Sequence, residues 1–177
     1  MKNLNLLRLS VFFMLCTFHS CNLVDKVTDV TFSAIAPVTY IVNETSSNPS
    51  GQLFSDTKLL NLASDPDVSK YASKIKSFNI DKITYTISGA NPASANFSNG
   101  MIKIASTGAT IATTGTVSLS NSTETELTTD TNGLNALTKS LHDNQQEQIQ
   151  LQGFISQTPV SFTLVIKFYL TINASAL

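Results

Sequence analysis

Residues 161–172, SFTLVIKFYLTI, decide the fold class of this chain. Every second side chain is apolar, and most of the side chains between them are polar. The apolar positions are Phe162, Leu164, Ile166, Phe168, Leu170 and Ile172. Because side chains of a strand alternate between the two faces of a sheet, this pattern predicts a strand with one buried face. Burying so many large side chains makes this strand the main contributor to the core, at the centre of a sheet.

The residues just before this strand show a second alternation. Ile149, Leu151 and Ile155 alternate with glutamines, and Gln157-Thr158-Pro159 follows as a turn. The two alternating segments predict a hairpin that ends in the central strand.

Earlier alternating segments predict the remaining strands. Residues 30–42 alternate but contain Pro37, which cannot donate a ladder hydrogen bond, so we expect an edge strand or two short strands. Residues 43–51 are loop-like in composition. Further strands are predicted at 80–87, 97–104, 110–119 and 123–129.

Two segments carry helix signals. Asp65-Pro66-Asp67 is typical of a helix start, with Val68, Tyr71, Ala72 and Ile75 on one apolar face. Asp130 or Thr131 begins a second helix with Leu134, Leu137 and Leu141 on one face. Calcium needs six or more oxygen ligands, so Asp65 and Asp67 are interpreted as helix-capping residues and not as a metal site.

These elements predict a mainly β fold, an antiparallel β-sandwich of seven to nine strands with two short amphipathic helices over an open end or face. The alternative is an α+β fold, a sheet with both helices on one face. Residues 30–177 are long enough for a single β-rich domain and too short for two.

The N-terminus differs in composition from this domain. Lys2 and Arg8 provide positive charge, and Leu9–Phe18 form an apolar run of about 10 residues, where a membrane-spanning helix needs about 20. Ser20 is a small residue before Cys21. Residues 1–20 are therefore predicted to be a cleaved export signal.

Phe18-His19-Ser20-Cys21 resembles the lipobox of bacterial lipoproteins. The resemblance implies cleavage between Ser20 and Cys21 and attachment of a diacylglyceryl group to the Cys21 thiol. It also implies that the exported chain is anchored in the bilayer of the cell envelope; we expect the outer membrane, with the inner membrane as the alternative. The short polar stretch after Cys21 predicts that residues 21–29 form a lipidated cysteine with a short tether, and the alternative is that this stretch is the first turn of the domain. The resemblance covers residues 1–21 only.

Three alternatives to lipidation at Cys21 stay open. An ordinary signal would leave Cys21 as a free thiol. Lipidation at Cys16 lacks a small residue before the cut. The third alternative is a eukaryotic secreted protein, in which Asn-x-Ser/Thr triplets are acceptors for N-glycosylation. Such triplets begin at Asn43, Asn96, Asn121 and Asn173.

The composition of the mature chain disfavours several classes of function. Without Lys2 and Arg8, 9 lysines face 12 acidic residues, and no arginine remains. Arginine is the preferred side chain for phosphates and base edges, so no nucleic-acid partner is expected. His142, beside Asp143, is the only remaining histidine and is predicted to be exposed, so no cofactor and no metal site are expected.

Two classes of function follow. The first is a non-enzymatic binding, adhesion or envelope-assembly module with a protein or glycan partner. The alternative is a hydrolase of envelope or extracellular polymers that uses Glu124, Glu126 or Asp130, since paired carboxylates can perform acid–base chemistry.

Overall fold

The structure, a computed structural model, describes residues 29–176. The strands in this range are β1 (Asp29–Asn48), β2 (Gln52–Asn61), β3 (Ile75–Asn91), β4 (Asn96–Ile104), β5 (Thr110–Thr114), β6 (Val117–Ser118), β7 (Thr125–Glu126), β8 (Thr128–Thr129), β9 (Gln146–Ile155) and β10 (Thr158–Ser175). The helices are α1 (Pro66–Tyr71) and α2 (Thr131–Asn144), and 3-10 turns span Leu62–Ser64 and Ala72–Lys74.

The strands form two antiparallel sheets, which confirms the predicted β-sandwich with two short helices. The four-stranded sheet has the order β1-β10-β3-β7, and the six-stranded sheet has the order β2-β9-β4-β5-β8 with β6 beside β4. The strands within residues 29–176 exceed the predicted seven to nine, because β2 was not predicted and residues 110–129 form four short strands where two were expected.

The pairing of the strands follows from folding the chain back on itself near its middle. The first strand pairs with the last, β2 pairs with β9, β3 pairs with β7, and β4 pairs with β5. Rolling this long double ribbon into two sheets gives the strand order of a jelly roll. One apolar face of each sheet is then turned towards the common core.

The predicted central strand is confirmed. β10 lies between β1 and β3, and all of its predicted apolar positions are buried. The predicted hairpin between β9 and β10 is wrong, because β9 lies in the six-stranded sheet and β10 in the other. Both strands have one mainly apolar face, and placing them in opposite sheets lets these faces meet across the core.

β1 is an edge strand, as one of the two predictions stated. It continues through Pro37 to Asn48, so the two-strand alternative is wrong, and the predicted loop at 43–51 shrinks to a turn ending at Gly51. An edge strand tolerates Pro37 because one side of its backbone needs no ladder partner.

The helices begin where they were predicted. Asp65 accepts hydrogen bonds from the backbone N–H groups of Asp67 and Val68, and Asp130 accepts one from Gly133. The first helix is shorter than predicted, since Ile75 already belongs to β3. α2 packs against strands of both sheets, including β3, β5 and β9, and so covers an open end of the sandwich.

The core joins the two sheets by aromatic contacts and one buried hydrogen bond. The Phe97 ring lies 6.4 Å from Phe54 in its own sheet and 6.5 Å from Phe162 in the opposite sheet. The hydroxyl of fully buried Tyr40 on β1 donates to the carbonyl oxygen of Ile149 on β9, at 2.8 Å.

Candidate functional site

A hollow of about 460 Å³ lies on the outer face of the six-stranded sheet, where β2, β9 and β4 run side by side. Its lining residues are Leu53, Phe54, Ser55, Asn99, Met101, Gln152, Gly153 and Phe154. Leu53 is 84% exposed, and Phe154 and Met101 are half-buried. The hollow therefore offers apolar surface to an external ligand, in the size range of small-ligand sites.

The hollow arises from an irregularity in β4. Asn99 adopts a left-handed conformation (φ 52°), and the pairing of β4 with β9 shifts between Ser98 and Met101. Such a bulge bends the strand away from its neighbour and opens the sheet surface. The backbone of Gly153 on β9 forms the floor of the hollow and lies directly against the Phe97 ring beneath it. An added Cβ at this position would come within 2.2 Å of Cζ of Phe97.

The aromatic wall of the hollow is held by the turn before β2. Gly51 has a φ of 76°, and a Cβ at this position would come within 2.8 Å of Cζ of Phe154. The backbone therefore approaches the ring closely only because residue 51 is glycine.

Polar side chains around the hollow are held by neighbours on the same face. The Lys103 ammonium donates to Oε1 of Gln152 at 2.9 Å, which leaves the Gln152 amide as a hydrogen-bond donor. Gln150 donates to the hydroxyl of Ser55 at 3.1 Å. None of the described side chains that line the hollow is charged. The arrangement suits a neutral ligand with an apolar part and a hydrogen-bond acceptor.

The other notable side-chain cluster surrounds Glu124, on the outer face of the four-stranded sheet. Its carboxylate accepts hydrogen bonds from Lys167 (2.7 Å), Tyr169 (2.6 Å) and Thr84 (2.7 Å). The hydrogen bonds from Lys167, Tyr169 and Thr84 lower the pKa of Glu124 to about 2. Lys82 lies 4.5 Å from the centre of the Tyr169 ring. Glu124 therefore stays ionised at neutral pH, which does not suit a general acid.

The three carboxylates considered for the hydrolase alternative have different neighbours in the structure. Glu124 joins the cluster described above, Glu126 lies in β7 opposite Thr84, and Asp130 begins α2. Within residues 29–176, no three His, Cys, Asp or Glu side chains lie close enough together to hold a metal ion. His142 and Asp143 are both exposed, and Nδ1 of His142 lies 3.3 Å from Oδ1 of Asp143.

The predicted lipidation site, Cys21, and the predicted cleavage site, Ser20 and Cys21, lie outside the described residues. No helix in residues 29–176 is long and apolar enough to cross a membrane. The hollow itself was not predicted. The signal that could have indicated it is Phe154, a large apolar residue at the end of a strand face that otherwise carries glutamines, together with Leu53 on the outer face of β2.

Comparison with known proteins gives no family. No protein-family model and no curated protein matches the sequence. The decameric BFDV capsid protein is similar in structure, with a TM-score of 0.48 and 10% identity over 82% of this chain and 99% of that chain. The structure of turnip yellow mosaic virus has a TM-score of 0.39 and 11% identity over 84% of this chain and 96% of that chain. The structure of Desmodium yellow mottle tymovirus has a TM-score of 0.38 and 11% identity over 85% of this chain and 86% of that chain. Scores this low support no statement about function.

Proposed function

We propose that this chain is a bacterial lipoprotein, anchored through acylated Cys21 in the outer membrane of the cell envelope, whose β-sandwich is a non-enzymatic binding, adhesion or envelope-assembly module. The observation that carries the proposal is the hollow between Leu53, Phe154 and Asn99, which combines exposed apolar surface with the amide groups of Asn99 and Gln152. Its partner is a protein or a glycan.

The position of the hollow relative to the tether supports this function. Residues 22–28 separate Cys21 from the start of β1 and reach at most about 25 Å when extended. The hollow adjoins Gly51, just beyond the opposite end of β1. A ligand can therefore reach it although the domain is tethered at Asp29.

The chemistry of the hollow supports binding over catalysis. Its polar groups are the amides of Asn99 and Gln152 and the hydroxyl of Ser55, which do not ionise near neutral pH. General acid–base catalysis needs a titratable group within hydrogen-bond reach of the substrate. The lining suits a site that holds its ligand without reacting with it.

Lipid anchoring is tested by the intact mass of the mature protein from its native host, beside that of Cys21→Ala. We expect the wild type to carry the mass of attached acyl chains and to fractionate with membranes, since two or more chains anchor stably. The variant should lack that mass and leave the membrane fraction. A wild-type protein without acyl mass that starts at another residue would end the lipoprotein proposal.

Binding is tested by the retention of purified protein on isolated cell envelopes. Phe154→Ala should weaken retention about tenfold, because a buried aromatic anchor typically contributes more than 1 kcal/mol. Leu59→Ala is the matched control, because Leu59 is 46% exposed on β2 but does not line the hollow. Protease treatment of the envelopes separates a protein partner from a glycan. Equal retention of a folded Phe154→Ala protein would show that the hollow is not the binding site.

A further inference from the structure

Two amide side chains extend the hollow along β9. Gln150, Gln152 and Phe154 occupy alternate positions of this strand, and the residues between them are buried. Alternate residues of a strand point to the same face, so all three side chains lie on the outer face of the six-stranded sheet. The row spans about 14 Å, since a strand rises about 3.4 Å per residue. We call the surface formed by Gln150, Gln152 and Phe154 the amide platform.

The strands on both sides of the amide platform add almost no charge to it. Directly opposite residues of paired antiparallel strands lie on the same face. On β2, Ser55 and Thr57 lie opposite the two glutamines. On β4, Met101 and Lys103 lie opposite the same glutamines. Among the outward positions of the described strands β2, β4 and β9, Lys103 is the only charged residue. The platform therefore matches an uncharged ligand.

The two glutamines are held so that they present opposite hydrogen-bonding groups. The Lys103 ammonium donates to Oε1 of Gln152 at 2.9 Å, so the NH₂ group of Gln152 is left to donate to a ligand. Nε2 of Gln150 donates to the hydroxyl of Ser55 at 3.1 Å, so the oxygen of Gln150 is left to accept. Side chains that are already held lose less rotamer freedom when a ligand binds.

We propose that the amide platform binds a short neutral glycan with neighbouring free hydroxyl groups, one sugar ring of which lies against Phe154 in the hollow. This inference rests on the proposed binding function and names the class of its ligand. A hydroxyl group both donates and accepts hydrogen bonds and carries no charge. The two N–H groups of the Gln152 amide suit two neighbouring hydroxyl oxygens, and the Gln150 oxygen suits a hydroxyl donor. The C–H face of a sugar ring is apolar and packs against an aromatic ring.

The distribution of polar groups favours a glycan over a protein. The buried centre of a protein–protein interface is mainly apolar and its rim is polar. The amide platform has the reverse arrangement, because its large apolar residues, Leu53 and Phe154, lie at one end. An apolar protein surface over Gln150 and Gln152 would leave their amide groups without hydrogen bonds, which is costly. A ligand rich in hydroxyl groups satisfies them.

The ligand class is tested by retention of the full chain, kept in detergent, on lipid-extracted envelopes of its native host. Lipid extraction prevents acyl chains from contributing to retention. Periodate cleaves the C–C bond between neighbouring hydroxyl-bearing carbons, oxidising both to aldehydes while it is reduced to iodate, and borohydride then reduces the aldehydes. Retention should be lost on envelopes treated in this way and unchanged after protease treatment. Borohydride alone is the control. Retention that survives periodate overturns the proposal.

The salt dependence of retention tests the neutrality of the ligand. Raising the salt concentration from about 0.05 to 0.5 M screens ion pairs between exposed groups. Retention should not weaken, because the proposed contacts are between uncharged groups. Retention that falls with salt would indicate an anionic ligand held by Lys103 and overturns the neutral glycan.

The double variant Gln150→Ala/Gln152→Ala tests the platform residues. Retention should fall about tenfold, because each hydrogen bond contributes a factor of a few. Both positions are half-buried on an outer face, and thermal unfolding checks that the variant is folded. Asn79→Ala is the matched control, since it removes an exposed amide from β3 of the other sheet.

The same retention measurement separates this inference from the proposed function. If Phe154→Ala weakens retention but the folded double glutamine variant does not, the glycan platform is wrong and the binding site in the hollow stands. The same conclusion follows if protease abolishes retention and periodate does not. If Phe154→Ala is retained like the wild type, or if untreated envelopes do not retain the wild type, both proposals fail.

Discussion

The ladder between β1 and β10 and the ladder between β4 and β9 differ in regularity. β1 and β10 pair from Asp29 to Glu44 without a shift in register. β4 shifts against β9 between Ser98 and Met101. The regular ladder buries an uninterrupted apolar face, whereas the irregular one opens a hollow on its outer surface. We therefore expect the four-stranded sheet with the β1–β10 ladder to dominate stability, and the six-stranded sheet with the β4–β9 ladder to carry the candidate binding site. The substitutions below test this assignment.

The largest effect is expected in β10. Ile166→Asp places a carboxylate at a position that is 1% exposed, with no partner for the charge. The expected loss exceeds about 5 kcal/mol, which is comparable to the whole stability of a domain this size. Soluble yield and thermal unfolding measure it.

Thr163→Asp is the matched control for that substitution. Thr163 lies on the outer face of the same strand and is only half-buried. This variant should fold and unfold cooperatively. If Ile166→Asp also folds cooperatively, the β1–β10 ladder does not carry the core.

The β4–β9 ladder is tested by Gly153→Ala. The new Cβ would overlap the Phe97 ring at 2.2 Å, so the ring or the strand must move. Overpacking of this kind costs about 1–3 kcal/mol, and we expect weaker envelope binding as well because the floor of the hollow shifts. Urea unfolding and envelope retention measure the two effects. Gly115→Ala, where an added Cβ meets no atom within 4 Å, should change neither.

The link between the two ladders is the hydrogen bond from Tyr40 to Ile149. Tyr40→Phe leaves the Ile149 carbonyl without this donor and should cost about 1–2 kcal/mol. An unchanged unfolding free energy would show that the hydroxyl does not join the sheets.

The same residue predicts a dependence on high pH. Burial, and secondarily the charge of Asp56, raise the pKa of Tyr40 above its ordinary 10.0. Above pH 10 the unfolded chain loses this proton while the folded chain retains it, so stability falls as the pH rises. The fall should be shallower in Tyr40→Phe, and unfolding measured from pH 8 to 11 compares the two slopes. Identical slopes would contradict the buried, protonated hydroxyl.

The sequence was informative where one face of a strand is uniformly apolar. β10 was predicted residue by residue because Phe162 to Ile172 alternate without exception. β2 was not predicted because Asp56 and Lys58 occupy two of its inward positions and interrupt the apolar alternation. Inward-pointing charges discourage another strand from pairing with a sheet edge such as β2. The same two charges make the strand unrecognisable from apolar periodicity.

Two other features depend on contacts between distant segments. Alternation shows that β9 and β10 each have a buried face, but not that they belong to opposite sheets, so the hairpin prediction failed. The hollow depends on the left-handed Asn99 and on Gly153 lying beneath the Phe97 ring. No local pattern encodes that packing. The caps Asp65 and Asp130 were predictable because capping involves only the next three residues.

The smallest effect is expected outside both ladders, at Glu124. Its hydrogen bonds to Lys167, Tyr169 and Thr84 attach the segment before β7 to the outer face of β10 and β3. Glu124→Gln removes the charge from this exposed cluster, and exposed ion pairs contribute little to stability.

The pH dependence makes this small contribution measurable. The pKa of Glu124 is lowered to about 2 from an ordinary 4.5, so its contribution is complete above pH 4.5 and is lost as the pH falls towards 2. Wild-type stability should therefore decline over this range more steeply than that of Glu124→Gln. Parallel declines would mean that the carboxylate is not held by Lys167. Envelope retention should be the same for both proteins at neutral pH, because Glu124 and the hollow lie on opposite outer faces of the sandwich.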